Sequence, residues 1–77
     1  MIIATIRMKV PQEKRHEILQ TVSTIAGSVR KECGCRTCDV YIDAANIDTF
    51  LLMEEWDAHE DFERHVRTPE FGALLGA

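Results

Sequence analysis

No stretch of this chain approaches the run of about 20 apolar residues that a bilayer-spanning helix needs. The opening MIIATIRMKV also lacks the basic start, apolar middle and cleavage site of a signal peptide, so a soluble cytoplasmic protein is expected. Basic clusters are missing too. Nine Lys and Arg are scattered among 13 Asp and Glu, for a net charge of -4, and phosphate contacts need concentrated positive charge, which argues against a nucleic-acid surface. Cysteine is scarce and odd in number. Cys33, Cys35 and Cys38 crowd into one short stretch, which makes no disulfide framework in so small a chain, and reduced thiols are expected. Repeats, low-complexity tracts and interdomain linkers are absent, and 77 residues leave room for one domain, residues 1–77. A chain of that size buries a modest share of its surface, so association with a second copy is expected to help stabilise it.

What the chain does contain is clear periodicity. Ile2, Ala4, Ile6, Met8 and Val10 alternate with Ile3, Thr5, Arg7 and Lys9, which predicts a strand apolar on both sides in its first half and polar on one side in its second. Apolar residues on both sides again point to a partner subunit. Pro11 suits a first helical position, and Ile18, Val22, Ile25 and Val29 recur at helical spacing, predicting an amphipathic helix to about Lys31. Gly27 interrupts it at a cost of about 1 kcal/mol relative to alanine, and close packing of Ala26, Gly27 and Ser28 on the sheet is the expected compensation. Arg30 and Lys31 suit the negative end of the helix dipole, Gly34 supplies a turn, and Cys35 to Asp43 is expected as a second strand. In a regular strand Cys35 and Cys38 point to opposite faces, which disfavours a redox pair. Zinc needs four ligands, and no second Cys or His pair stands at ligand spacing, so no metal is expected.

The densest information lies between Thr49 and Phe71, beyond a loop from Asp43 to Asp48. Thr49 to Trp56 predicts a strand antiparallel to the second, and its alternation sets Glu54 and Trp56 on the same side as Phe50 and Leu52. A carboxylate on an apolar side is costly to bury alone, so Glu54 needs His65, another donor, or an ion pair with Arg7. Asp57 and Glu60 have capping-box spacing, predicting a helix to about Arg67 on which Ala58, Phe62, His65 and Val66 share a stripe. An imidazole therefore faces inward. Thr68, Pro69 and Glu70 read as the cap and first turn of another short helix carrying Phe71, Leu74 and Leu75. His16 and His59 are expected to face solvent.

These residue types carry a definite chemistry. A neutral imidazole can take a proton from a phenol or quinol, leaving an electron-rich anion that reacts with oxygen; a hydrogen-bonded histidine at a helix–sheet junction is the structural alternative. Trp56 can serve as an aromatic wall whose N–H orients a polar group, or as plain core. Phe50, Leu52 and Phe62 either line such a pocket or belong to the core. Tyr41 has a hydroxyl to offer, on a sheet side that the sequence does not settle.

Segments in order along the chain resemble the antibiotic biosynthesis monooxygenase family: Met1 to Val10 followed by Pro11, Gly34-Cys35 leading to Asp39-Val40-Tyr41-Ile42-Asp43, Thr49-Phe50, Glu54-Glu55-Trp56, and Arg64-His65-Val66-Arg67-Thr68-Pro69-Glu70-Phe71. The resemblance covers nearly the whole chain. It implies an α+β fold, a ferredoxin-like antiparallel sheet with helices on one face that pairs with a second copy into a dimeric α/β barrel. The final strand of that fold is expected to be missing from this sequence. Cys35 matches a common family residue, whereas Cys33 stands where proline is usual and Cys38 where an aromatic is usual.

The implied activity is oxidation of a phenolic, quinol or anthrone-like small molecule by O2 with no bound cofactor, by a homodimer with no nucleic-acid or membrane partner. His65 would act as base or substrate anchor, Glu54 would orient it, and Trp56 would position the ring. Phe50, Leu52, Phe62 and Tyr41 would contact substrate. On that reading His65 supports catalysis more than folding. The same scaffold serves other purposes, so a non-catalytic small-molecule-binding or stress-associated protein, or an isomerase of a small carbonyl compound, are the alternatives. Haem degradation, the work of a related branch, is not expected: Arg7 stands where that branch has an asparagine, and no histidine follows His65.

Overall fold

The structure, a computed structural model, describes residues 1–69 and 71–72. Strand β1 (Ile2–Lys9) leads through a single 3-10 turn (Gln12–Lys14) into helix α1 (Arg15–Val29); strands β2 (Cys35–Ile42) and β3 (Thr49–Trp56) come next, then helix α2 (His59–Val66). The sheet order is β1-β3-β2, and the central β3 runs antiparallel to both neighbours. This is the ferredoxin-like α+β arrangement expected from the sequence.

Register assigns every strand residue to a face. Ile2, Ala4, Ile6 and Met8 lie opposite Trp56, Glu54, Leu52 and Phe50, while Cys38, Val40 and Ile42 lie opposite Glu54, Leu52 and Phe50. That face carries the core. Val22, Ala26 and Val29 of α1, spaced by four and three residues, pack on Cys38, Leu52 and Trp56, with Ile2, Ile6, Met8, Ile18, Ile25, Val40 and Phe62 around them. The opposite face, bearing Leu51, Met53 and Glu55 of β3 among its neighbours Ile3, Thr5, Arg7, Asp39 and Tyr41, is covered by neither described helix. No helix among the described residues is long and apolar enough to cross a membrane.

Several local expectations are corrected. The first helix begins at Arg15, not Pro11, because Pro11 adopts an extended ψ of 137° and a 3-10 turn intervenes. Gly27 has open space where a Cβ would stand, and the close approach to the sheet is made by Ala26, which is fully buried. Asp57 does not cap α2. Its backbone N–H donates to Gly34 O at 2.8 Å and its carboxylate pairs with Arg36 at 3.4 Å, so the chain stays pinned to the sheet and the cap position falls to Ala58.

Two features of the α1–β2 connection position side chains near the start of α2. Gly34 takes φ 84°, and a Cβ there would run into the Asp61 side chain of α2, so the turn needs glycine on both grounds. A β-bulge between Cys35 and Thr37 adds one residue to β2, which places Cys35 opposite Trp56 and Cys38 opposite Glu54. The two thiols therefore share a face, contrary to the regular-strand expectation. Further on, Thr68 Oγ1 accepts from Phe71 N–H at 3.3 Å and donates to His65 O at 2.7 Å, the expected capping role. Glu70, Leu74 and Leu75 lie outside the described residues.

Candidate active site

The alternation of β3 delivers Glu54 and Trp56 to the covered face, and the stripe of α2 lowers His65 onto them. All three are buried: Trp56 is 0% exposed, His65 1% and Glu54 2%. The indole N–H of Trp56 donates to Glu54 Oε1 at 3.0 Å, satisfying one of the two oxygens of a carboxylate that burial would otherwise penalise. His65 Nε2 lies 3.3 Å from that same oxygen, within ion-pair reach but not aligned as a hydrogen bond. Among the described residues, His65 Nε2 and Glu54 Oε2 have no hydrogen-bond partner. On the other side of the ring, Nδ1 lies 3.2 and 3.1 Å from the two oxygens of Glu32.

Aromatic rings enclose the imidazole. Trp56 lies against it with centroids 4.7 Å apart and planes tilted 31°, Phe71 meets it edge-on at 5.4 Å, and Phe62 is 6.4 Å from both it and Trp56. The Trp56 ring thus has the imidazole against it at the place expected for a substrate ring, and the group is closed to water. This burial gives His65 a packing role beside the expected catalytic one. The histidine holds two carboxylates and three aromatic rings together.

The sequence candidates divide accordingly. His65, Glu54, Trp56 and Phe62 come together. Leu52 is the next residue on the same face and belongs to the core. Phe50 lies four residues from Glu54, about 13 Å along the strand, where the Arg15 guanidinium sits 5.6 Å over its ring; it does not line the group. Tyr41 pairs with Leu51 on the opposite face, so the sheet separates it from Trp56. Arg7 is on that face too, paired with Asp43 at 3.7 Å, which removes it as a partner for Glu54. His16 and His59 are exposed as expected.

Two members escape sequence reasoning. Glu32 sits in a connection with no periodicity to give it a face; its only signal is a lone acid between Arg30-Lys31 and the Gly34 turn. Phe71 reads from the sequence only as part of a helix. The thiols border the group as well. Burial, then the charge of Glu54, pushes the Cys35 thiol from 9.0 up to about 11 and the Cys38 thiol up to about 12. Both stay protonated near neutrality and serve as wall rather than nucleophile. Among the described residues no three His, Cys, Asp or Glu are placed to hold a metal ion.

Two cavities among the described residues lie elsewhere. One of about 250 Å³ opens on the uncovered face between Arg7, Tyr41, Ile42, Asp43, Thr49 and Leu51, and another of about 260 Å³ runs along α1 by Lys14, Glu17, Ile18 and Thr21.

A family model described as antibiotic biosynthesis monooxygenase matches residues 1–76. A protein of Escherichia coli (strain K12), "Probable quinol monooxygenase YgiN", is 30% identical over 84 aligned residues, covering 99% of this chain and 81% of that protein. A crystal structure from Deinococcus radiodurans, named for the same family, superposes with a TM-score of 0.93 at 25% identity, over 99% of this chain and 75% of that one. A conserved protein from Methanosarcina mazei Go1 shares the fold, with a TM-score of 0.87 at 23% identity over 96% and 73% of the two chains.

Proposed function

The chain belongs to the antibiotic biosynthesis monooxygenase family, and from that premise we propose that it oxidises a phenolic, quinol or anthrone-like small molecule with O2 and no bound cofactor. The observation that carries this reading is a pair of buried atoms without a hydrogen-bond partner among the described residues, His65 Nε2 and Glu54 Oε2, beside the Trp56 ring. A substrate hydroxyl can donate its proton to His65 Nε2, and a second donor of the substrate can reach Glu54 Oε2. Deprotonation leaves an anion that passes an electron to O2; the two radicals combine as a peroxide anion, which takes the proton back from His65 to become the hydroperoxide. Loss of water from that adduct at a former CH2 leaves a carbonyl. The substrate gives up two hydrogens and gains one oxygen, and the second oxygen departs as water.

The roles follow from position. His65 is the base or hydroxyl anchor, Glu54 orients it and accepts the second contact, and Trp56 and Phe62 bound the ring. Water exclusion strengthens each of these charge interactions and protects the reactive anion. The uncovered sheet face, with Ile3 59% and Tyr41 47% exposed beside Leu51 and Met53, is proposed as the contact between two copies of the chain.

A second reading is favoured by the closure of the group: with Trp56 0% and His65 1% exposed, a non-catalytic binding protein needs no substrate beside the histidine. An isomerase of a small carbonyl compound is disfavoured where that compound carries a phosphate, since Arg7 is on the far face and two carboxylates flank the imidazole. The deciding measurement is oxygen uptake with a hydroquinone or anthrone, compared with uncatalysed autoxidation. Excess uptake that falls by roughly a hundredfold in Glu54→Gln supports the oxygenase. That variant keeps an acceptor for the Trp56 N–H, loses the charge and puts an NH2 donor in place of Oε2. No excess in the wild type overturns the oxygenase in favour of the binding protein.

A further inference from the structure

Glu32 has no part in the proposed oxidation chemistry, yet it ties the buried imidazole to the surface. Its side chain is 23% exposed, against 1% for His65 and 3% for Glu54. Its backbone is fixed from both sides: the N–H donates to Val29 O at 3.0 Å, and the carbonyl accepts from Cys35 N–H at 3.2 Å. The carboxylate is thereby held under the ring. A continuous polar line runs from Trp56 Nε1 through Glu54 and His65 to Glu32, with its closest links between 3.0 and 3.3 Å.

Proton counting gives the line its meaning. A neutral imidazole has one N–H, so between two ionised carboxylates one ring nitrogen would aim a lone pair at an anion. The better-formed contact decides which nitrogen carries the proton. Glu32 faces Nδ1 with both oxygens in hydrogen-bond range, whereas the Glu54 contact to Nε2 is longer and misaligned. The other titratable neighbours on this face, Cys35 and Cys38 of β2, are held in the neutral form and cannot compete.

We propose that Glu32 is the positioning residue of this site: it keeps the proton on His65 Nδ1, leaving Nε2 free for substrate, and is the terminal through which the buried group exchanges that proton with water. This rests on the proposed reading of the site, but not on the identity of the substrate. It assigns Glu32 the part that an orienting carboxylate plays behind a catalytic histidine on other folds.

The test is nitrogen NMR on intact protein with labelled histidine, which needs no substrate. In the wild type the His65 Nδ1 resonance is expected at the position of a protonated ring nitrogen. In Glu32→Gln the proton shifts toward Nε2, where Glu54 now offers the only carboxylate, and exchange of the ring proton with water slows; Glu32→Asp restores the wild-type pattern in part. Where turnover is measurable, Glu32→Gln lowers kcat by about tenfold or more with KM little changed. Glu32 is partly exposed and outside the apolar core, so the variant is expected to fold. A His65 spectrum and exchange rate unchanged by Glu32→Gln would overturn the assignment whether or not the protein consumes oxygen. Absent oxygen uptake with the tautomer shift intact would sink the oxygenase alone.

Discussion

Replacing His65 by alanine removes the one residue that touches both carboxylates and all three rings of the candidate site. Truncating a large buried ring to alanine typically costs about 3–5 kcal/mol, from lost burial and the cavity left behind. The two carboxylates left behind differ. Glu32 is partly exposed and can rehydrate, whereas Glu54 is 2% exposed and keeps only the Trp56 N–H. An imidazole is smaller than the phenyl and indole rings that set that range, so the low end, about 3 kcal/mol, is the appropriate figure. For a domain of this size each kcal/mol moves the melting temperature by roughly 4–8 °C, giving a fall of about 12–24 °C. Circular dichroism melts at fixed protein concentration measure it. The double variant His65→Ala/Glu54→Gln removes the stranded charge and is expected to recover part of the loss. A single variant melting within a few degrees of the wild type would refute the account of the site as a fold-supporting cluster. A double variant no more stable than the single would show that lost packing, not stranded charge, sets the cost.

The thiols and the sheet face give further tests. One thiol, the exposed Cys33, should react quickly with an alkylating reagent in the native protein at pH 8, while Cys35, at about 11, is ionised about a hundredfold less than a thiol at 9.0, and Cys38 less still; three equally fast thiols would contradict the burial. The sign for stability follows from the same values: both groups are raised in the folded state, so their contribution is fully present below pH 9 and is lost as pH rises through about 11 and 12, which urea titrations across that range should register. Sedimentation at micromolar concentration should show a dimer, and Met53→Lys on the uncovered face should weaken it while leaving the covered face intact; a wild type that sediments as a monomer removes the proposed interface.

The strands are the most legible part of the sequence, because burial on one side writes a period of two that survives without tertiary knowledge. Thr49 to Trp56 shows it cleanly, and the inward aim of Glu54 follows from parity alone. Errors gather where a non-local contact overrides a local pattern. Asp57 and Glu60 are spaced for a capping box, yet the hydrogen bond to Gly34 O ties Asp57 to the turn before β2 and the cap position falls to Ala58. Parity fails for Cys35 because a bulge is invisible to a count of residues. Glu32 cannot be found by either period, since it lies in a connection and gains its role only when α2 closes over it.

Because β3 is paired on both sides, its odd and even residues answer to different neighbours at single-residue pitch. Glu54 and Trp56 face the helices, while Leu51, Met53 and Glu55 face away from them. A substitution is therefore judged by parity first and by chemistry second. An insertion of one residue just before Leu51 would exchange the two surfaces from that point on, turning Glu54 and Trp56 outward and bringing Met53 and Glu55 to the places beside His65. Insertions and deletions should be far less tolerated there than point changes. A saturation scan of the strand should show tolerance correlating at every second position, with the helix-covered and the uncovered surfaces interleaved along one stretch of eight residues.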